Sequence, residues 1–323
     1  MGLLEGKALV FGSRNRILAF HEGMKKPVCL ATREGSDGDN EVTALILYER
    51  SLFDTNSLGA VYQTLTGQRV DGRRTEIPVY KLVEFQGELF GVEGTSYPKP
   101  AAARCPLEER SRPASPDGEE ENRDQARIFR VADDSTLHTF NDGRRGLSQG
   151  PLSLRPNSLD LAVAGDDLYL ASENVVHING TSVTALTSYT SDSVQLASDG
   201  KLVVASTYHN SETFPKGAEV RLMPDNKLLA FWDCKRFGSP GYHGRVALHD
   251  DVIVFGSGVK KKENNPLYGF RITPEMHDAP GGIGVTPELV LANAFERPSM
   301  YGSGNPLLIV SRDELEHLLA TRK

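Results

Sequence analysis

Cysteine is scarce here, and its placement excludes one whole class of small stapled folds. The three cysteines (Cys29, Cys105, Cys234) are odd in number and far apart, and no two make a Cys-x-x-Cys, so the sequence encodes no disulfide framework. Long apolar runs are missing too: nothing approaches the eighteen or so residues of a membrane-spanning helix. Met1 to Gly6 carries neither the basic region nor the apolar stretch of a secretory leader, and Gly6 stands where myristoylation needs Ser or Thr. A soluble, cytoplasmic protein is therefore expected, with no membrane partner. Positive charge is short: 36 Lys and Arg against 43 Asp and Glu leave a net charge of −7, which argues against tracking a phosphate backbone.

The usual catalytic and nucleotide motifs are also absent. No Gly-x4-Gly-Lys-Ser/Thr loop exists, and Gly281-Gly282-Ile283-Gly284 lacks the strand-to-helix setting of a dinucleotide site, so it reads as a loop. No Gly-x-Ser-x-Gly elbow precedes a helix; Ser257, in Gly256-Ser257-Gly258, ends a strand. What remains is a chain of 323 residues, 39% hydrophobic, long enough to bury a sizeable core. Its 31 Gly and 18 Pro suit a fold with many tight turns.

Repetition carries the architecture. A short β-rich run ending in Ser recurs at Leu9–Ser13, Leu47–Ser51, Phe90–Ser96, Leu168–Ser172, Leu202–Ser206, Val254–Ser257 and Leu307–Ser311. Successive serines lie roughly 34 to 54 residues apart, except for one gap of about 76 that falls to about 48 without residues 98–125. Several runs close a hairpin. Leu159, Leu161 and Val163 lead into the turn Gly165-Asp166-Asp167, and Leu168 to Leu170 lead out. The same form recurs around Ser198-Asp199-Gly200, around His249-Asp250-Asp251 and around Gln86-Gly87. Asp and Gly tolerate the positive φ of such turns, and the runs between them are too short for helices.

From Asp192 to Asp233 the pattern sharpens. The hairpin Ser193 to Ser206, a third run Glu219 to Leu222, and Lys227 to Asp233 with its Trp232-Asp233 pair resemble one blade of a WD40-like β-propeller. The resemblance is confined to that unit, since Trp232 is the only tryptophan and no Gly-His opens a blade. It implies an all-β fold: a single propeller domain of about seven four-stranded blades, with six as the close alternative. Strands from both chain ends would close the ring, Gly6 to Phe20 at one end and Pro306 to Ser311 at the other. For the tail, Ser311-Arg312-Asp313-Glu314 before Leu315, Leu318 and Leu319 is a capping box that favours a short helix over a strand.

Residues 98–125 stand outside the repeat. They are rich in Pro and acidic residues with little to bury, so a disordered insertion is expected within one blade, either a surface excursion or a partner-binding segment. Candidate chemistry is thin. Tyr208-His209 and Tyr242-His243 repeat a dipeptide near successive blade rims, but without His-x-His or His-x3-His spacing, so no metal and no cofactor is expected. Lys260-Lys261-Lys262 reads as an exposed hairpin loop. By repeat phase, Glu76, Asp160, Asp192, His243 and Arg245 would ring the channel mouth, the set a glycosidase- or lactonase-like hydrolase would use. The first expectation is instead a non-enzymatic, monomeric scaffold that binds a protein partner through the 98–125 segment or rim loops. Those loops are Tyr208 to Lys216, Phe237 to Gly244, Lys260 to Asn265 and Met276 to Pro287, with Tyr208, His209, Tyr242, His243, Arg245 and Lys261 as contact residues.

Overall fold

The computed structural model describes residues 2–34, 41–72, 77–95, 125–141, 152, 154, 159–186, 194–208, 217–238, 245–256, 265–295 and 304–322. In chain order, β1 (Lys7–Ser13), β2 (Arg16–Phe20) and β3 (Val28–Thr32) open the first sheet. The second holds β4 (Val42–Tyr48), β5 (Ser51–Asn56), β6 (Val61–Gln63) and β7 (Gln68–Arg69). The third holds β8 (Val79–Phe85), β9 (Glu88–Thr95), β10 (Gln125–Arg130) and β11 (Thr136–Asn141). In the fourth are β12 (Asp160–Ala164), β13 (Asp167–Ala171), β14 (Val175–Asn179) and β15 (Ser182–Ala185). The fifth contains β16 (Val194–Ser198), β17 (Val203–Tyr208), β18 (Gly217–Leu222) and β19 (Lys227–Asp233), followed by α1 (Cys234–Phe237). The sixth begins with β20 (Val246–His249), β21 (Val252–Gly256) and β22 (Leu267–Arg271). After α2 (Pro274–Asp278) and the two-residue β23 (Ile283–Gly284), β24 (Glu288–Leu291) completes it. The chain then returns to the start: β25 (Leu307–Ser311) pairs with β1, and α3 (Arg312–Thr321) follows.

Six antiparallel sheets thus form a ring whose inner strands are β4, β8, β12, β16, β20 and β25, each packed on the next. The fold is a six-bladed β-propeller. Six, the close alternative, is the count; seven is one too many because one blade carries two of the seven runs. Leu9–Ser13 and Leu307–Ser311 lie in one blade, with Phe11 opposite Leu307 and Leu9 opposite Ile309. Leu47–Ser51 is no strand end but a hairpin turn, with Glu49 at φ 46° and Arg50 at φ 60° between β4 and β5. Neither residue is Gly or Asn, so the turn left no signal in the sequence. The Asp- and Gly-marked hairpins at 86–87, 165–166, 199–202 and 250–251 all form.

The core lies between neighbouring blades. Phe90 and Ile128 of the third meet Leu161 and Leu170 of the fourth in one buried cluster. Between the fifth and sixth, Trp232 stacks on Phe255 with ring centroids 4.6 Å apart, and its indole N–H donates to Gly238 O (2.9 Å). Each such side chain contributes about 1.5–3 kcal/mol by leaving water. Phe231, one residue earlier, faces outward at 44% exposure because successive strand residues alternate faces. A Cβ on Gly91 would sit 2.7 Å from the Phe129 ring, so β9 needs glycine there. The loop around Gly281 to Gly284 supplies β23, which runs parallel to β19 and covers the outer edge of the fifth blade. At the C-terminus the capping box forms: Glu314 N–H donates to Ser311 Oγ, and Ser311 N–H to Glu314 Oε2.

Cys234 opens α1 in a half-buried position, where burial first and the Asp233 charge second push its thiol up to about 12. Little thiolate then exists near neutrality. Iodoacetamide labelling at pH 8, mapped by mass, is expected to modify Cys234 at least tenfold more slowly than the same residue in urea-unfolded protein.

Candidate functional site

Every inner strand runs from one end of the ring, here the upper face, to the other. The links from first to second and from third to fourth strands therefore lie below. The remaining links lie above. Where the inner strands begin, the sequence places polar residues in an otherwise apolar ring, and they meet across the axis.

Asp160 opens β12 and is 2% exposed. Its Oδ1 accepts from Leu161 N–H and its Oδ2 from Leu196 N–H in β16, both at 3.0 Å. Lys81 crosses from β8 to bring Nζ within 3.3 Å of Oδ1 and donates to Leu196 O (3.4 Å). Arg245, just before β20, brings Nη1 to 3.5 Å from the same oxygen. Gln195 Oε1 accepts from Val246 N–H (3.1 Å), and Arg245 N–H donates to Asn305 O (3.0 Å) beside β25. One carboxylate thus ties the third, fourth, fifth and sixth blades together. Burial pushes the Lys81 amine below the usual lysine range, opposed by the Asp160 charge and reinforced by Arg245. The Arg245 guanidinium is lowered by burial as well, against the pull of Asp160 and Tyr80.

Because its folded-state pKa is depressed, Lys81 binds its proton more weakly folded than unfolded. Between that lowered pKa and the ordinary lysine value of 10.5 the unfolded chain holds more protons, so stability from this group rises with pH across that window. Lys81→Met leaves Arg245 and Asp160 as a one-to-one pair. It is expected to raise stability by about 1 kcal/mol or more at pH 7, with the gain shrinking toward pH 10. Urea titrations at several pH values check this; a constant difference from the parent protein would contradict it.

Below this layer a channel of about 570 Å³ follows the axis. All six inner strands line it, Lys81 marks its inner end, and Gly165, Gly200, Asp250 and Glu314 lie toward the lower mouth. At that mouth Asp250 Oδ2 meets Lys7 Nζ (2.8 Å) and His249 Nδ1 (3.0 Å), so His249 pairs with a carboxylate.

Of the hydrolase set, the structure brings Asp160 and Arg245 together; Glu76, Asp192 and His243 lie outside the described residues. Both Asp160 oxygens are engaged by backbone amides and one also by two cations, an arrangement that holds a carboxylate in place. Of the contact residues, Arg245 is buried at 1% exposure rather than set on a rim. Tyr208 ends β17, and the side chains of Tyr208, His209, Tyr242, His243 and Lys261 are outside the described part. The loop Met276 to Pro287 links β22 to β24 and therefore lies on the lower face, while residues 209–216, 239–244 and 257–264 of the other three lie outside the described residues. Lys81, Gln195 and Asn305 went unnoticed in the sequence. The available signal was a lone charge inside Val79-Tyr80-Lys81-Leu82-Val83. Among the described residues no group of three or more His, Cys, Asp or Glu is placed to hold a metal ion.

No family model and no curated protein sequence matches the chain. Solved structures do. It is similar to TolB from Acinetobacter baumannii at 9% identity, over 95% of this chain and 67% of that one, with a TM-score of 0.54. It is also similar to a chain of a nidogen/laminin complex at 9% identity, over 94% of this chain and 98% of that one, with a TM-score of 0.52. At that identity the likeness concerns the propeller fold alone. Among the described residues no helix is long and apolar enough to cross a membrane.

Proposed function

We propose that this propeller is a non-enzymatic, monomeric scaffold that binds a protein partner on its upper face. One asymmetry supports the reading. On the lower face most hairpin links are short, such as 86–87, 165–166, 180–181 and 250–251, with 272–287 between β22 and β24 the long exception. The strands that flank 96–124, 142–159, 234–245 and 292–306 all end and begin at the upper face. Long connections held on a rigid ring are where recognition residues concentrate. The acidic balance fits a protein partner better than a nucleic acid.

The test compares affinity capture from source lysate by four forms of the chain. These are the intact protein, one lacking 99–124, one with Tyr242, His243 and Lys261 changed to Ala, and one with the lower-face changes Lys201→Glu and Asp225→Lys. The expected result is a reproducible partner kept by the lower-face form and lost from at least one upper-face form, at equal folded content. Capture lost only from the lower-face form would overturn the assignment. No partner enriched by any form would do so equally.

A further inference from the structure

We propose that the inner end of the axial channel binds a small monoanion, a halide or the carboxylate tip of a longer ligand, between Lys81 and Arg245. The charge count points there first. Lys81 Nζ and Arg245 Nη1 approach the same Asp160 oxygen at 3.3 and 3.5 Å, so two cations share one carboxylate, with Lys81 facing the channel and Arg245 buried. A buried charge without a counter-charge is expensive, and among the described residues the excess here is one positive charge. Unmet donors point the same way. Among the described residues no group accepts a hydrogen bond from Nε, Nη1 or Nη2 of Arg245, although the residue is 1% exposed. A guanidinium carries five N–H donors in a planar fork that suits a halide or a carboxylate. Asp160 cannot satisfy that fork, since its oxygens already take Leu161 N–H and Leu196 N–H and face Lys81.

The channel supplies the route. Its volume of about 570 Å³ exceeds what a bare ion needs, and its inner end carries Lys81 beside Leu161, Val246 and Leu307. These apolar neighbours suit an aliphatic body behind a carboxylate. Asp250 and Glu314 near the lower mouth disfavour a dianion such as phosphate, which would also overshoot the single excess charge. The site opens opposite the upper face, so it stands whether or not the scaffold reading does.

The probes are sodium bromide and sodium octanoate, added to the full chain with sodium sulfate, a disfavoured dianion, holding the ionic strength constant. Thermal unfolding is followed through the emission of Trp232. Bromide is expected to raise Tm saturably, by about 3 °C or more at a large excess over its Kd. Crystals soaked in bromide should show an anomalous peak within hydrogen-bond reach of both Lys81 and Arg245. Lys81→Met and Arg245→Lys should each weaken the response at least tenfold. Lys81→Met is expected to stay folded, so its loss of response reports the site itself. Octanoate that displaces bromide would identify a carboxylate-tipped ligand, whereas bromide binding without competition would identify a halide. A Tm that does not move with bromide, or a Lys81→Met protein that responds like its parent, would overturn the proposal.

Discussion

Asp160→Ala should destabilise the propeller by about 3–5 kcal/mol, the largest effect expected of any single substitution at the axis. The change leaves Lys81 and Arg245 as buried cations without their shared carboxylate and strips the Leu196 amide of its acceptor. Losing one partner of a buried charged set costs far more than the set contributes net, because the survivors keep their desolvation penalty. Guanidinium titration read through Trp232 measures it. The double variant Asp160→Ala with Lys81→Met should recover a sizeable part of the loss, since it removes one of the two stranded charges. A single variant within about 1 kcal/mol of the parent would show that solvent reaches this layer and screens it.

Asp54→Ala carries the second large effect, also about 3–5 kcal/mol, at the seam between the first and second blades. Asp54 is fully buried in β5 and takes a two-pronged approach from Arg33, Nε to Oδ2 at 2.8 Å and Nη2 to Oδ1. Thr64 Oγ1 donates to the same Oδ1 (2.8 Å), and the Arg33 guanidinium lies 4.8 Å from the centre of the Tyr62 ring. Arg33 therefore loses its only strong acceptor among the described residues while remaining packed against an aromatic face. A double-mutant cycle with Arg33→Met and Asp54→Leu separates pairing from packing. The double variant should lie closer to the parent than either single one. If the two losses simply add, the pair is not acting as a unit.

How much of this was legible in the sequence depends on what marked each element. Hairpins with Asp or Gly at the tip announced themselves, because few other residues take positive φ readily. Glu49-Arg50 takes the same conformation without either residue, and the run across it was read as a strand. The structure takes the alternative of six blades over seven for a topological reason: β1 and β25 are distant in sequence but share a sheet, and no local pattern says so. Asp160 and Arg245 could be placed near the axis by repeat phase. That they would share an oxygen with Lys81 could not, since Lys81 looks like an ordinary alternating polar residue until three other blades pack around it. Asp54 gave no warning either, because a single Asp between Phe53 and Thr55 resembles any solvent-facing strand position. Glu76, Asp192 and His243 lie beyond the described residues, so the remaining members of the axial set were not placed.

The clasp between β1 and β25 also sets a timetable. During synthesis β1 leaves the ribosome early, yet the strand that covers its free side is made nearly three hundred residues later. At about 5–20 residues per second that interval is roughly 15–60 s. Throughout it the nascent chain carries an uncovered row of backbone donors and acceptors, bordered by Leu9 and Phe11, that can pair with any passing strand. Safe production of this ring therefore rests on how that edge is kept occupied while the rest of the chain is being made.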